Sequence, residues 1–229
     1  AWGALVVWQL FLMAIAPNVI MPLFNKFTPL EDDALKARVQ ALMQRAGFQA
    51  KGFFVMDGSR RSAHSNAFFT GFGASKRVVF FDTLLKQLSP DEMEAVLAHE
   101  LGHFKHRHIL KMMATSFVVT LLGLALLGWL SQQMWFYTGL GVMPNLASTV
   151  ANAPPPANDA LALLLFMMVV PLFTFFLSPL SAGRSRRFEF EADAYAVAHS
   201  DGKHLAGALL KLYQDNASTL TPDPWYVAF

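Results

Sequence analysis

The 229-residue chain contains no cysteine and few charged residues. Without cysteine it forms no disulfide and offers no thiolate to a metal, so any metal site must be built from histidine and carboxylate side chains. Only 15% of the residues are charged and the formal net charge is +2. No basic stripe interleaved with aromatics occurs, so we expect no nucleic acid partner. The chain is instead 54% apolar, a composition typical of a membrane protein.

Three apolar stretches are long enough to cross a membrane as helices: residues 1–24, 109–130 and 160–180. A span needs about 20 predominantly apolar residues, and each stretch meets that length. The alternative interpretation is that they are core helices of a large soluble protein, but such helices seldom run this long without charge. We therefore predict a multi-pass integral membrane protein in contact with membrane lipid.

The positive charges predict the orientation of these spans. Thirteen of the eighteen Lys and Arg residues lie in 25–111 and the other five lie in 184–211. The loop 131–159 has none and is proline-rich. Because basic residues accumulate on the cytoplasmic side, this loop is expected to face away from the cytoplasm. Segments 25–108 and 181–229 then share the cytoplasmic face as two parts of one module.

Segment 25–108 has the pattern of a compact module of helices with a small sheet. A helix is predicted over 30–47, with Gly47 as its end, and short strands over 52–57, 66–73 and 76–82. A further helix is predicted to begin at Ser89, because Ser-Pro-Asp-Glu provides an N-cap, a first-turn proline and a capping box. The predicted fold class is mainly α with a short mixed sheet.

The helix that begins at Ser89 carries His-Glu-Leu-Gly-His over residues 99–103. Residues four apart share a helix face, so His99 and His103 can both direct a ring nitrogen at one ion. Glu100 lies about 100° further round the helix, where it can accept a proton from an attacking water. The alternative is a basic, solvated helix end. His106 and His108 follow, and we expect them to be surface residues, residues that contact the ligands, or residues that face lipid headgroups.

A catalytic zinc takes a third protein ligand, and the acidic segment 186–199 is the best source for it. Glu189 and Asp193 are four residues apart on one helix face, whereas Glu191 points elsewhere. One of the two carboxylates would bind the metal and the other would accept a hydrogen bond from a ligand histidine. A solvated acidic helix face remains the alternative.

These motifs together resemble a known family. HELGH followed by His108, EFEAD after two apolar stretches, and SNAFFTGFGASKRVVFFDTLL over 65–85 resemble the type I CAAX prenyl endopeptidase group of integral-membrane, gluzincin-type zinc metalloproteases. The resemblance implies a zincin-like module with one Zn²⁺ per chain, bound by His99, His103 and Glu189. It also implies Glu100 as general base and Asp193 as the carboxylate that orients a ligand histidine.

The resemblance further implies that the substrate is a peptide or protein, possibly lipidated, and that Asn66 and Ala67 lie beside it. Residues 66–73 carry neither charge nor proline, and such residues normally protect a free strand edge. We therefore expect this edge to receive an extended peptide, with Phe69 also in the groove. A hairpin covered by a membrane helix is the alternative.

The family has more than three spans and a further functional histidine beyond the equivalent of Phe229, so the chain is expected to be part of a longer protein. Two other functions stay open at this point. One is a quality-control protease of the membrane, which these motifs do not separate from a prenyl endopeptidase. The other is a membrane scaffold with a structural zinc, which has no need of Glu100 as a base.

Overall fold

The structure, a computed structural model, describes residues 1–60, 66–70, 75–144 and 158–215. The helices are α1 (Trp2–Ile15), α2 (Met21–Phe24), α3 (Asp33–Arg45), α4 (Asp82–Gln87), α5 (Pro90–Lys105), α6 (His108–Leu130), α7 (Met134–Gly139), α8 (Asp159–Phe175), α9 (Ser178–His199) and α10 (Gly202–Asp215). The strands are β1 (Phe27–Pro29), β2 (Gln49–Met56), β3 (Ala67–Thr70) and β4 (Ser75–Phe81). The predicted fold class, mainly helical with a small mixed sheet, is confirmed.

Two helices of the described residues are continuous, long and apolar enough to cross a membrane. The first covers Trp2–Phe24 and the second is α6. A π-helical turn at Ala16–Ile20 joins α1 to α2. Pro17 lies in that turn and lacks a backbone N–H, so the regular hydrogen-bond ladder is interrupted there. The indole N–H of Trp2 donates to the carbonyl of Phe117 at 2.9 Å, which ties α1 to α6.

The third apolar stretch, predicted to be a span over 160–180, consists of two helices with a bend between them. α8 ends at Phe175, α9 begins at Ser178, and the two helix axes differ by 61°. Pro179 lies in the first turn of α9, and a proline ring is accommodated there but obstructs a helix that continues from before it. A third span therefore requires α8 and α9 to cross the membrane together as a bent pair. Residues 145–157 of the predicted 131–159 loop lie outside the described residues.

The part of the structure outside the long apolar helices is built around one core between helices and sheet. The sheet order is β1-β2-β4-β3, with β2 and β4 parallel and the other pairs antiparallel. The helix predicted over 30–47 is α3, and its buried residues are Leu35, Val39, Leu42 and Met43. Gly47 follows with a φ of 82°, a conformation that glycine adopts without strain. The core of the module is thus formed by α3 and α5 on one face of the sheet, with α9 and α10 against α5.

The start of α5 agrees with its prediction from sequence. The Ser89 hydroxyl accepts from the Glu92 N–H, and the Glu92 carboxylate accepts from the Ser89 N–H at 2.7 Å. Glu92 also pairs with Lys211 of α10 at 2.7 Å. The capping box therefore fixes the residue at which α5 begins, and so it also fixes how far along the helix axis residues 99–103 lie.

Candidate metal centre

Two helices, α5 and α9, carry the candidate site, and they cross with their backbones almost in contact. A Cβ atom placed on Gly102 would lie 2.9 Å from the Cα of Ala192 and 3.1 Å from its carbonyl oxygen. Such distances are shorter than normal contacts, so only glycine allows α9 to come this close. Ala192 lies between Glu189 and Asp193 on α9, and these acids consequently lie opposite His99 and His103.

The three ligand atoms proposed from sequence lie at the corners of a small triangle. The Nε2 atoms of His99 and His103 are 3.1 Å apart, and Oε2 of Glu189 is 3.4 Å and 3.6 Å from them. Three ligands about 2.1 Å from a tetrahedral zinc ion are separated by about 3.4 Å. The donor set of two imidazoles and one carboxylate therefore fits a zinc ion and leaves a fourth position for water or substrate.

The other ring nitrogen of each histidine also has a partner. Nδ1 of His99 lies 2.8 Å from Oδ1 of Asp193, the carboxylate proposed to orient a ligand histidine. Nδ1 of His103 lies 2.9 Å from Nδ1 of His108. With a proton on each Nδ1, both Nε2 lone pairs point toward the centre of the triangle, as metal binding requires. Burial lowers the pKa of His103, which favours the neutral imidazole that binds a metal.

Glu100 is partly buried beside the triangle and is not one of its corners. Burial raises the pKa of its carboxyl, His99 opposes this shift, and the nearby carboxylate of Glu189 adds to it. A carboxylate with a raised pKa is a better proton acceptor than an exposed one. The location and the electrostatics of Glu100 suit a general base.

The strand predicted to lie beside the substrate is β3, at one edge of the sheet. Ala67 and Phe69 are 1% and 7% exposed because their side chains face the core. The Phe69 ring packs edge-on against Phe104 of α5, with 5.8 Å between centroids. Both residues can thus offer a peptide their backbone groups but not their side chains. Residues 71–73 of the predicted strand lie outside the described residues.

The register shows which backbone groups of β3 face outward. The N–H of Phe81 donates to the carbonyl of Asn66, and bonded and non-bonded pairs alternate along an antiparallel ladder. The groups of Phe68 and Thr70 therefore face β4, whereas those of Ala67 and Phe69 face the open edge. Within the described residues no strand pairs with that edge. The Asn66 side chain, expected to bind substrate, accepts a hydrogen bond from the Ala67 N–H at 2.8 Å.

A cavity of about 520 Å³ lies against the opposite face of the sheet, between β3 and the bend of the first span. Its lining is largely apolar and includes Met21, Phe54, Phe68 and Val79, with Lys26 and Arg77 as its charged residues. Arg77 donates to the side-chain oxygen of Asn18 at 3.0 Å. An apolar pocket thus lies next to the free strand edge.

Sequence reasoning missed two features of this site. The HExxH pattern assigns no role to Gly102, although a glycine inside a helix commonly has a packing reason. For His108 the sequence allows three interpretations, and the structure shows that it is 1% exposed and in contact with His103. Neither contact follows from periodicity, because the first depends on how α9 crosses α5 and the second depends on the turn between α5 and α6.

The chain is similar to known proteins over most of its length. Residues 29–224 match the family described as Peptidase family M48. The chain is similar to CAAX prenyl protease 1 of Saccharomyces cerevisiae, at 40% identity over 98% of this chain and 51% of that protein. It is also similar to the human CAAX prenyl protease 1 homolog, at 31% identity over 94% of this chain and 51% of that protein.

A solved structure is similar as well. The crystal structure of S. mikatae Ste24p superposes with a TM-score of 0.85 at 39% identity, covering 100% of this chain and 54% of that one. The chain spans about half the length of the curated relatives that it matches.

Proposed function

This chain belongs to peptidase family M48, and from that premise we propose that it forms the catalytic centre of a zinc-dependent endopeptidase of the membrane. The observation that carries the proposal is the triangle of His99, His103 and Glu189 with Glu100 beside it. A structural zinc would be closed by a fourth protein ligand and would need no adjacent base. The arrangement therefore favours catalysis over a scaffold role.

Each residue of the site has its own role in this mechanism. His99, His103 and Glu189 would hold the ion, and Asp193 accepts a hydrogen bond from Nδ1–H of His99 and so fixes the orientation of its ring. Zinc bound here would supply Lewis-acid polarisation of the attacking water and of the scissile carbonyl. Glu100 takes a proton from the attacking water and delivers it to the nitrogen of the leaving amine.

The substrate class follows from the relatives, which are named CAAX prenyl proteases. We extend that class to this chain: a peptide near a membrane surface, lipidated close to its cleavage site. The apolar cavity beside β3 supports this assignment, because alternate side chains of a peptide added to β3 point to the two faces of the sheet. An apolar substituent on the cavity side would be removed from water.

Removing the metal tests the function. The protein purified in detergent is expected to contain about one zinc per chain and to cleave a farnesylated peptide. A zinc chelator should abolish cleavage, and added zinc should restore it. Cleavage that persists without metal would contradict the proposal. Equal cleavage of farnesylated and unmodified peptides would favour the broader quality-control role over a prenyl-specific one.

The proposed orientation places both site segments on the cytoplasmic side and residues 131–159 on the other. Because the chain has no cysteine of its own, single cysteines report orientation cleanly. In sealed membrane vesicles whose cytoplasmic side faces outward, Gln44→Cys, an exposed position on α3, is expected to react with an impermeant maleimide. Ser148→Cys should react only after detergent opens the vesicles. The opposite pattern would overturn the orientation.

The free edge of β3 is proposed to pair with the substrate backbone. Phe69→Pro removes an outward N–H and so one hydrogen bond to the peptide, worth about 0.5–1.5 kcal/mol or roughly a 2- to 12-fold rise in KM. Phe69→Ala is the matched control, because it loses the same ring and keeps the N–H. Thr70→Pro removes an N–H that faces β4 and is expected to lower stability instead. If Phe69→Pro and Phe69→Ala have equal KM values, the peptide binds elsewhere.

A further inference from the structure

His108 occupies an unusual place between two helices. α5 ends at Lys105, and Arg107 adopts a φ of 56°, in the left-handed region that residues other than glycine seldom enter. This turn directs the start of α6 back toward α9. His108 is 1% exposed, and its ring stacks on that of Phe188 with 4.2 Å between centroids and 10° between planes. Such burial of a histidine calls for hydrogen-bond partners at both ring nitrogens.

Both partners are present, and they connect His108 to the metal centre. Nδ1 of His108 lies 2.9 Å from Nδ1 of His103, and its Nε2 lies 3.0 Å from Oε2 of Glu191. His103 points its Nε2 at the other two ligands, so its proton belongs on Nδ1. That N–H donates to Nδ1 of His108, which leaves the His108 proton on Nε2, where it donates to Glu191. Every donor in this series meets an acceptor with both imidazoles neutral.

Glu191 is itself held in place by two cations. Its Oε1 accepts from Nε of Arg187 at 2.9 Å, and its Oε2 lies 3.9 Å from Nζ of Lys111. The carboxylate therefore cannot rotate freely, and the proton it accepts from His108 has a fixed direction. Glu191 lies away from the metal face of α9, as its spacing predicts, and its partner His108 contacts the ligand histidine His103.

The same cluster has a competing interpretation as a second metal site. Ligand atoms of His106, His108 and Glu191 lie within 4.8 Å of one another. Both nitrogens of His108 are already engaged, however, and the two cations beside Glu191 would repel a metal ion. The hydrogen-bonded arrangement satisfies every group without an added charge, so the observations favour it.

We propose that His108 and Glu191 are positioning residues that fix the tautomer and ring orientation of His103, as Asp193 does directly for His99. This inference rests on the proposed zinc site. It predicts that zinc affinity depends on a residue that touches neither the metal nor the substrate. Partners of ligand histidines typically contribute about 10- to 100-fold to metal affinity.

The test is zinc affinity measured by competition with a chromogenic chelator on the purified protein. His108→Phe retains a ring to stack on Phe188 but accepts and donates nothing, so the zinc Kd should rise about 10- to 100-fold. His108→Gln provides an acceptor and a donor on one side chain and should stay within about threefold of wild type. His106→Gln should leave the Kd unchanged. Thermal unfolding of the zinc-free proteins shows whether a change in zinc Kd results from a loss of folding stability.

A second pair covers the case in which position 108 does not tolerate substitution. Glu191→Leu should measurably raise the zinc Kd, by up to about tenfold. Glu191→Gln still accepts a hydrogen bond from His108 and should keep the wild-type Kd. Wild-type affinity in both His108→Phe and Glu191→Leu would overturn the inference, as would equal loss in His108→Phe and His108→Gln. If the wild-type protein binds two zinc ions per chain and His106→Gln binds one, the cluster is a second metal site and not a positioning network. If the wild-type protein binds no zinc, the proposed function fails instead.

Discussion

Replacing Glu100 by glutamine is expected to lower peptide hydrolysis by about 10²- to 10⁴-fold, the range that a positioned general base contributes. The amide has the shape of the carboxylate but cannot accept the water proton. Glu100 is not a corner of the ligand triangle, so the variant should retain one zinc with wild-type affinity. The measurement is kcat/KM on a lipidated peptide together with zinc content on the same sample.

The matched variant for that experiment is Glu189→Gln, on the opposite helix. Its side chain lies 3.4 Å and 3.6 Å from the two histidine nitrogens, so it should lose zinc and activity together. Glu100→Gln should lose activity alone. Turnover by Glu100→Gln close to that of wild type would remove Glu100 from the proposed mechanism. Loss of zinc from it would make Glu100 a ligand and not a base.

Gly102→Ala is expected to damage the metal centre although it touches no ligand. The added methyl would lie 2.9 Å from the Cα of Ala192, and backbone cannot rotate out of the way as a side chain can. α9 must therefore shift, and Glu189 moves with it relative to His99 and His103. We expect a cost of about 1–3 kcal/mol in stability, typical of overpacking, and a weaker zinc site.

The control is Gly123→Ala on α6, where a Cβ atom would meet nothing within 4 Å. Alanine is favoured over glycine in a helix by up to about 1 kcal/mol, so this variant should be as stable as wild type or more so. Thermal unfolding and zinc competition on the two variants give the comparison. If Gly102→Ala has the zinc affinity and Tm of wild type, α9 can move away from α5 without damage to the site, and the expectation is wrong.

Features encoded by neighbouring residues could be predicted from the sequence. The capping box at Ser89 and the stop at Gly47 depend on a few adjacent side chains, and both occur as expected. Strands near 52–57 and 76–82 follow from short apolar runs, although each begins a little earlier than predicted. The three-residue strand β1 and the short helix α4 were missed, since such short elements lack a periodic signal.

Features set by tertiary contact could not be predicted in the same way. To predict the bend after Phe175 from sequence, one must know that Pro179 lies at the start of a new helix and not inside a continuing one. The turn at Arg107 uses a conformation that arginine rarely adopts, so no local pattern indicates where His108 points. The two histidines of the ligand triangle follow from motif spacing and Glu189 follows from the family resemblance, but the distances that make the triangle fit a metal depend on Gly102.

The crossing of α5 and α9 also determines when such a centre can come into existence during synthesis. Glu189 follows His99 by 90 residues, and α6 and α8 lie between them. At about 5–20 residues per second, the ribosome delivers the third ligand roughly 5–20 s after the first. Until α9 has emerged and docked at Gly102, His99, His103 and Glu100 are present without Glu189, the proposed third ligand. A zinc centre of this composition would therefore stay incomplete while α6 and α8 are being synthesised.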